Sequence, residues 1–400
     1  MPTKKVASLI RGNTPANVLG AVVAFARRRK ISILMMAVGM LAFGYGTAQE
    51  AATGKTSTIE RKSQSPHAEK ETNKFKTRKG RLEAKPLDWN STIGKPEKSS
   101  GQSGVDEQRA QGEQPGSSVG GAPNPKAKRD ARKRYPQDWR GIREPAKRDT
   151  LGLIYGDEDG RFLRVAGSPD IFTQYCENCP NVNTDSPEIA IGKLFSNAGT
   201  CSASVISGNN VIVTAAHCCY DRSSKNWIGG WSFAPAYHNG NAPYGTFDWS
   251  SATVLNSWIN NGDIPSDVCL INLQNDSNGR GITYYTGWLG RSWDWPSDQE
   301  HHALGYPGNL GNANVLELCT SESFSPSSQC GGDGILNTGC SMTYGSSGGP
   351  WIRNYRSDNW VNSVVHGYDS QSCTGSFGKT FNGARFASGN IVTLCNAAGC

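Results

Sequence analysis

Val211-Ile212-Val213-Thr214-Ala215-Ala216-His217-Cys218 is the stretch that decides how this chain is read. Four consecutive β-branched residues predict a short strand, because branched side chains pack well on a pleated surface. Two alanines follow, and then a histidine closes the strand, where a packed backbone can fix its ring. Of the five histidines after residue 150, only His217 occupies such a position. A single buried histidine is more often structural than chemical, so the pattern needs partners elsewhere in the chain.

Working outward, similar short apolar runs recur at Ile189–Phe195, Ser204–Ile206, Val268–Leu273, Val315–Leu318, Trp360–Val365 and Ile391–Leu394. Gly, Asn, Pro and Ser turns separate them, and little helical periodicity extends over ten or more positions. Many short strands at close spacing predict an all-β barrel or sandwich for residues 151–400. That length supports one or two barrels with a real core.

Two further patterns can complete the chemistry of His217. Gly345-Ser346-Ser347-Gly348-Gly349-Pro350 surrounds a serine with residues that permit a sharp turn. Such a turn exposes Oγ, lets a substrate carbonyl approach, and aims backbone N–H groups at a developing oxyanion. A bland Gly/Ser loop is the alternative, and the chain has many. Asp267-Val268-Cys269-Leu270-Ile271-Asn272-Leu273 places an acid at the start of an apolar strand. A carboxylate there needs a donor, and the Nδ1–H of a histidine fits. Asp248 and Asp263 are rivals without an apolar strand behind them. The order is His, Asp, Ser, and the three patterns together are far more specific than any one.

The charge pattern divides the chain into three. Residues 1–48 carry seven Lys/Arg and no acid, residues 49–150 carry 23 against 14, and residues 151–400 carry 11 against 20. The net +7 therefore belongs to the N-terminal parts. Nucleic-acid binding by the main domain is disfavoured, since phosphate attraction needs clustered cations on the folded surface.

All 12 cysteines lie between Cys176 and Cys400, in Gly-, Ser- and Asn-rich sequence. An even number in this setting predicts a disulfide framework and an oxidising compartment. Cys176-x-x-Cys179 with Cys218-Cys219 suggests a metal ribbon only loosely, because the second pair lacks its spacer. No metal and no cofactor are expected.

Arg27-Arg28-Arg29-Lys30 precedes an apolar run from Ile31 to Ala48, with small residues at its end. The pattern predicts a signal peptide cleaved after Ala48. The rival is an uncleaved anchor, although 18 residues with three glycines are marginal for a hydrocarbon core about 30 Å thick. Residues 49–150 show almost no apolar periodicity and predict a disordered basic pro-segment or linker. Lys128-Arg129, Lys133-Arg134 and Lys147-Arg148 read there as exposed dibasic pairs suited to proteolytic trimming, or as parts of a solvated linker.

The His217, Asp267 and Ser347 stretches together resemble the chymotrypsin/trypsin-like serine peptidase family over about residues 185–395. Phe233-Ala234-Pro235-Ala236-Tyr237, Asn241-Ala242-Pro243-Tyr244-Gly245 and Gly305-Tyr306-Pro307-Gly308 resemble its secreted bacterial trypsin-like and glutamyl-endopeptidase branch. The resemblance implies two six-stranded antiparallel barrels with the site in the cleft between them. It implies Ser347 as nucleophile, His217 as base and then acid, Asp267 as the residue that orients the imidazole, and the N–H groups of Gly345 and Ser347 as oxyanion donors. It also implies a Cys201–Cys218 disulfide, with the other pairings open.

The glutamyl branch implies that His366, with Thr343 and Gly367 in the pocket wall, contacts an acidic side chain of the substrate. One departure is Ser346, where the family's zymogens usually carry an acid that pairs with a new N-terminus. Activation by that ion pair is therefore not expected, and residues 149–400 are expected to act without a defined first residue. The reading is a secreted, monomeric serine endopeptidase acting on proteins or peptides, with no membrane attachment after signal cleavage. A catalytically silent binding or adhesion module and a membrane-tethered protease are the alternatives.

Overall fold

The computed structural model describes residues 57–62, 72–93, 115–142, 173–176, 184–326, 332–368 and 380–400. The leader at 1–48 and the dibasic pair Lys147-Arg148 lie outside the described residues. Among those described, no helix is long and apolar enough to cross a membrane.

Three strands come first in the chain: β1 (Thr58–Lys62), β2 (Gly116–Ser118) and β3 (Thr173–Cys176). Then follow β4 (Ile191–Phe195), β5 (Thr200–Ser207), β6 (Val211–Thr214), a two-residue hairpin β7 (Tyr220–Asp221) and β8 (Asn226–Trp227), β9 (Ser232–Pro235), β10 (Phe247–Leu255) and β11 (Cys269–Leu273). Strands β10, β11, β6, β5, β4 and β9 form a ring, which β9 closes by pairing with β10. A β-bulge between Trp249 and Ser251 lies within the β10–β11 pairing, next to the residues that pair with β9. A bulge bends its strand, and here Phe247 and Asp248 face β9 while Ser251 to Val254 face β11. Closure also needs β4 and β9 close together at Gly192, where a Cβ would fall 2.3 Å from the Ala234 carbonyl oxygen. Val205, Ile212, Val213, Phe233 and Leu270 on the barrel strands have no exposed surface, so both faces of these strands are covered.

The second sheet takes β12 (Gly290–Trp293), β13 (Glu300–Gly305), β14 (Glu317–Glu322), β15 (Ile335–Thr338), β16 (Pro350–Arg353), β17 (Trp360–Tyr368) and β18 (Phe381–Arg385). Its order is β15-β18-β17-β16-β13-β14-β3, and β12 joins β17 to β2. Two closed barrels were expected, and one is observed with this second sheet. The sheet's six central strands come round until Phe324, beyond β14, exchanges backbone hydrogen bonds of 3.0 and 2.8 Å with Asn337 of β15. That bridge, the Cys319–Cys340 disulfide and the Gly339 N–H donating to Ser321 Oγ join its two ends among the described residues.

Within residues 49–150, the described stretches 57–62, 72–93 and 115–142 are seated on the domain. β1 extends the first barrel at β10, and β2 pairs with β12. Phe75, Leu87, Trp89, Ala127 and Ala131 are buried. The segment cannot build a core of its own, but it needs none, because isolated apolar residues dock on a core supplied by the barrel. Arg81, itself buried, ties it together through an ion pair with Asp138 and a 2.8 Å bond to the Gly240 carbonyl. Two dibasic pairs, Lys128-Arg129 and Lys133-Arg134, lie on the helix Ala127–Arg134 rather than in extended chain. Arg134 there bonds Tyr135 and Ser277 and pairs with Asp276. A fragment starting at residue 149 would lose all of these contacts.

Lys193 of β4 is fully buried, with Nζ 2.8 Å from the Ala313 carbonyl and 4.9 Å from the Tyr237 ring centre. Desolvation lowers its pKa to about 7. Between that value and the unfolded one, near 10.4, the unfolded chain binds the extra proton, so stability should rise with pH across this window. Urea titrations at pH 6.5 and 9.5 should show this gain for the native chain and a smaller one for Lys193→Met.

Candidate active site

His217 stands in the single helical turn Ala216–Cys218 immediately after β6, and Asp267 follows the short turn Ile264–Ser266 just before β11. Because β6 and β11 are neighbours, with Thr214 opposite Cys269, the two residues meet at one end of the barrel. Both are fully buried. Asp267 Oδ1 accepts the His217 backbone N–H at 2.8 Å, and Oδ2 lies 2.7 Å from His217 Nδ1. A second ring shares the same oxygen: His366 Nδ1, from β17 of the other sheet, lies 2.5 Å from Oδ2. A carboxylate can only accept, so both rings carry their proton on Nδ1. Burial alone would push the Asp267 carboxyl up. The charge attraction and hydrogen bond of His217, with those of His366, outweigh it and hold the group well below the usual carboxylate range.

Two disulfides clamp the histidine turn. Cys201 of β5 is bonded to Cys218, and Cys219 is bonded to Cys269 at the start of β11. His217 and Asp267 are therefore linked covalently as well as by hydrogen bonds. The Cys219–Cys269 link was not legible in the sequence, because twelve cysteines allow too many pairings.

Ser347 lies in the turn before β16, fully buried, with its carbonyl accepting the Ser202 N–H at 2.8 Å. Gly348, at φ +76°, brings this turn against the histidine strand; a Cβ there would meet Thr214 Oγ1 at 2.0 Å and the Ala215 nitrogen at 2.6 Å. Gly345 adopts φ +95°, and a Cβ on it would fall 2.6 Å from the Tyr306 carbonyl. Its own carbonyl is held by the Ser202 hydroxyl at 2.9 Å, and that hydroxyl accepts the Tyr306 N–H. Ser202 thus sets the plane of the Gly345–Ser346 peptide, a role no sequence pattern signalled. Ser346 donates to the Thr343 carbonyl at 2.7 Å, an intraloop bond in the place where an acid was absent.

Ser347 Oγ and His217 Nε2 are both buried, and no hydrogen bond engages either among the described residues. Such bonds commonly tighten only when substrate arrives. Of the pocket residues, the Thr343 hydroxyl is engaged by Asn309 at 2.9 Å, and the Gly367 N–H donates to Asn382 at 3.0 Å. His366, expected at a substrate carboxylate, is instead bound to Asp267 through Nδ1, so Nε2 is the nitrogen left to meet a ligand. Residues 85–93, missed in the sequence, lie against this same loop. Their one signal was the apolar island Pro86-Leu87-Asp88-Trp89 within charged sequence.

His217, Asp267 and His366 place three ligand-type atoms within 4.8 Å of one another. The Nδ1 protons already fill that space as donors to the carboxylate, so the cluster reads as hydrogen-bonded rather than as a metal cage. The sulfurs of Cys201 and Cys218 are closed to metals by their disulfide.

Residues 183–381 match the trypsin family. The chain belongs to the trypsin-like serine protease family. Among solved structures it is similar to the protease Anisep from Arthrobacter nicotinovorans, at 27% identity and TM-score 0.47, over 54% of this chain and 97% of that one. A thermostable serine protease from an extremophilic microorganism gives 26% identity and TM-score 0.47, over 54% and 99%. A Glu endopeptidase in complex with MPD gives 16% and 0.46, over 57% and 97%. No curated protein matches the chain.

In this trypsin-like domain, two Nδ1 protons directed at one buried carboxylate should give two strongly downfield proton resonances. Proton NMR of the full chain should lose both in Asp267→Asn and one in His366→Gln; two resonances retained in His366→Gln would contradict the shared oxygen.

Proposed function

We propose that the chain is a serine endopeptidase that cleaves peptide bonds through a covalent acyl-enzyme. The observation that carries this reading is the Asp267 carboxylate fixing His217 by Oδ1 on its N–H and Oδ2 on its Nδ1. That arrangement leaves Nε2 unprotonated, as a general base requires. Ser347 Oγ attacks the scissile carbonyl while His217 Nε2 takes its proton. The imidazolium, stabilised by Asp267, returns that proton to the leaving amine, and water then releases the acyl group by the same path reversed. The Gly345 N–H, whose peptide is held through the Tyr344 carbonyl by the Gly308 N–H at 2.7 Å, meets the oxyanion together with that of Ser347.

The disulfides support an oxidising, extracellular setting. The acidic preference implied by the glutamyl-branch resemblance rests on Nε2 of His366 and on Thr343 and Gly367 beside it. A peptide library cleaved chiefly after Lys, Arg or large apolar residues would remove it.

Fluorophosphonate labelling of the full chain tests the reaction. Ser347→Ala and His217→Ala should abolish labelling. Gly345→Ala, which strains the positive-φ peptide, should slow it by about 10²–10³-fold, the usual effect of losing one oxyanion donor. A folded chain that stays unlabelled after residues 85–93 are displaced would favour the silent binding module. Full-length protein that needs detergent for extraction would favour the tethered form.

A further inference from the structure

The groups that would carry the reaction are out of contact with solvent: His217, Asp267 and Ser347 each have no exposed surface. Part of the cover is the chain's own segment 85–93. At one end the Thr200 N–H donates to the Lys85 carbonyl and the Leu87 N–H donates to the Thr200 carbonyl, both at 2.9 Å. Thr200 adjoins Cys201, so the segment is fastened beside the disulfide that holds the histidine turn. Pro86 then crosses Gly345, its Cβ lying 3.2 Å from where a Cβ on that glycine would sit. At the other end Trp89–Ile93 forms one helical turn against Ala216–Cys218, and the Thr92 carbonyl accepts the Arg222 N–H at 2.9 Å.

Between these fastenings Trp89 is 7% exposed. Its ring centre lies 4.6 Å from that of Tyr344, edge-on, and 5.9 Å from that of Tyr368. The floor is Gly367, where an added Cβ would come within 3.4 Å of the indole. Tyr368 is held by donating its hydroxyl to the Met342 carbonyl at 2.7 Å, and Tyr344 accepts a 2.8 Å bond from the Asn90 amide. Two aromatic walls and a glycine floor form a slot shaped for a flat apolar side chain. Tyr344 belongs to the turn that carries Ser347, and Gly367 follows His366, so the slot opens beside the nucleophile.

We propose that Tyr344, Gly367 and Tyr368 form a subsite for an aromatic side chain of a peptide, and that Trp89 occupies it as a tethered competitor. The inference rests on the serine-endopeptidase reading and adds to it a class of ligand and a latent state. The segment is not presented as a substrate, because its bridge at Pro86 runs parallel to Thr200 and commits the Lys85 carbonyl to that residue. Access to Ser347 then follows the fraction of molecules in which Trp89 has left the slot.

The test is the second-order rate of fluorophosphonate labelling of the full 400-residue chain, with Ser347→Ala as the zero. Trp89→Ala should label about tenfold faster than the native chain or more, and Trp89→Phe should stay within about threefold of it, since rate tracks the open fraction. N-acetyltryptophanamide should slow labelling of Trp89→Ala, and N-acetylalaninamide should not. Asn90→Ala removes only an exposed bond to Tyr344, and it should speed labelling in the same direction should Trp89→Ala fail to fold. Native and Trp89→Ala chains labelling equally fast would overturn the tethered competitor while leaving the peptidase reading standing. Equal protection by the alanyl and tryptophanyl amides, or none by either, would overturn the aromatic subsite. No labelling in any folded variant would sink both.

Discussion

The Asp267 carboxylate is the constraint on which the site depends. It has no exposed surface, and a charge taken out of water is tolerated only with close, well-aligned donors. Three are supplied: the N–H and Nδ1 of His217, and Nδ1 of His366. The first two come from the closed barrel, and the third comes from β17 of the second sheet. The charge therefore couples the two halves of the fold, since removing the His366 ring would leave a buried lone pair without its partner. A single carboxylate both orients the imidazole and holds the sheet that carries His366 against the barrel.

Much of this was legible because strong local patterns coincide with tertiary requirements. Val211 to Thr214 had to be a strand, and Asp267 before Val268 had to be buried with a donor; the two strands proved to be neighbours. The glycines around Ser347 signalled a tight turn, and Gly348 is where the turn and the histidine strand touch. His366 was singled out but given a different partner, because sequence distance says nothing about which way a ring points. Ser202 was missed altogether. A serine inside a strand is unremarkable until the strand delivers its hydroxyl to a peptide 143 residues away.

The described stretches within residues 49–150 are ordered on the domain for a physical reason. Composition tells whether a segment can bury enough apolar surface to fold alone. It does not tell whether a neighbouring core offers sockets for a few large residues. Phe75 packs 4.9 Å from Phe195 of β4, and β1 needs only the open edge of β10. Among the described residues the charges mostly stay outside, and Arg81 is buried with Asp138 as its counter-ion. A low apolar fraction is thus compatible with order when each apolar residue lands on an existing surface.

These contacts also determine which part of the site is free to move. His217 is held by the Cys201–Cys218 bond on one side, by Cys219–Cys269 on the other, and by Asp267 beneath. Gly345 is held by Ser202, and Gly348 is wedged against Thr214. A rearrangement that built the site from separated parts would have to break several of these at once. The segment over the slot is held by no disulfide; it is fastened by two bonds at Thr200, one at Arg222, one at Tyr344 and the buried side chains of Leu87, Trp89 and Thr92. Local openings take the route with the fewest buried contacts. The preorganised groups can then remain fixed while the cover leaves, which suits a site whose electrostatics must be in place before the substrate arrives.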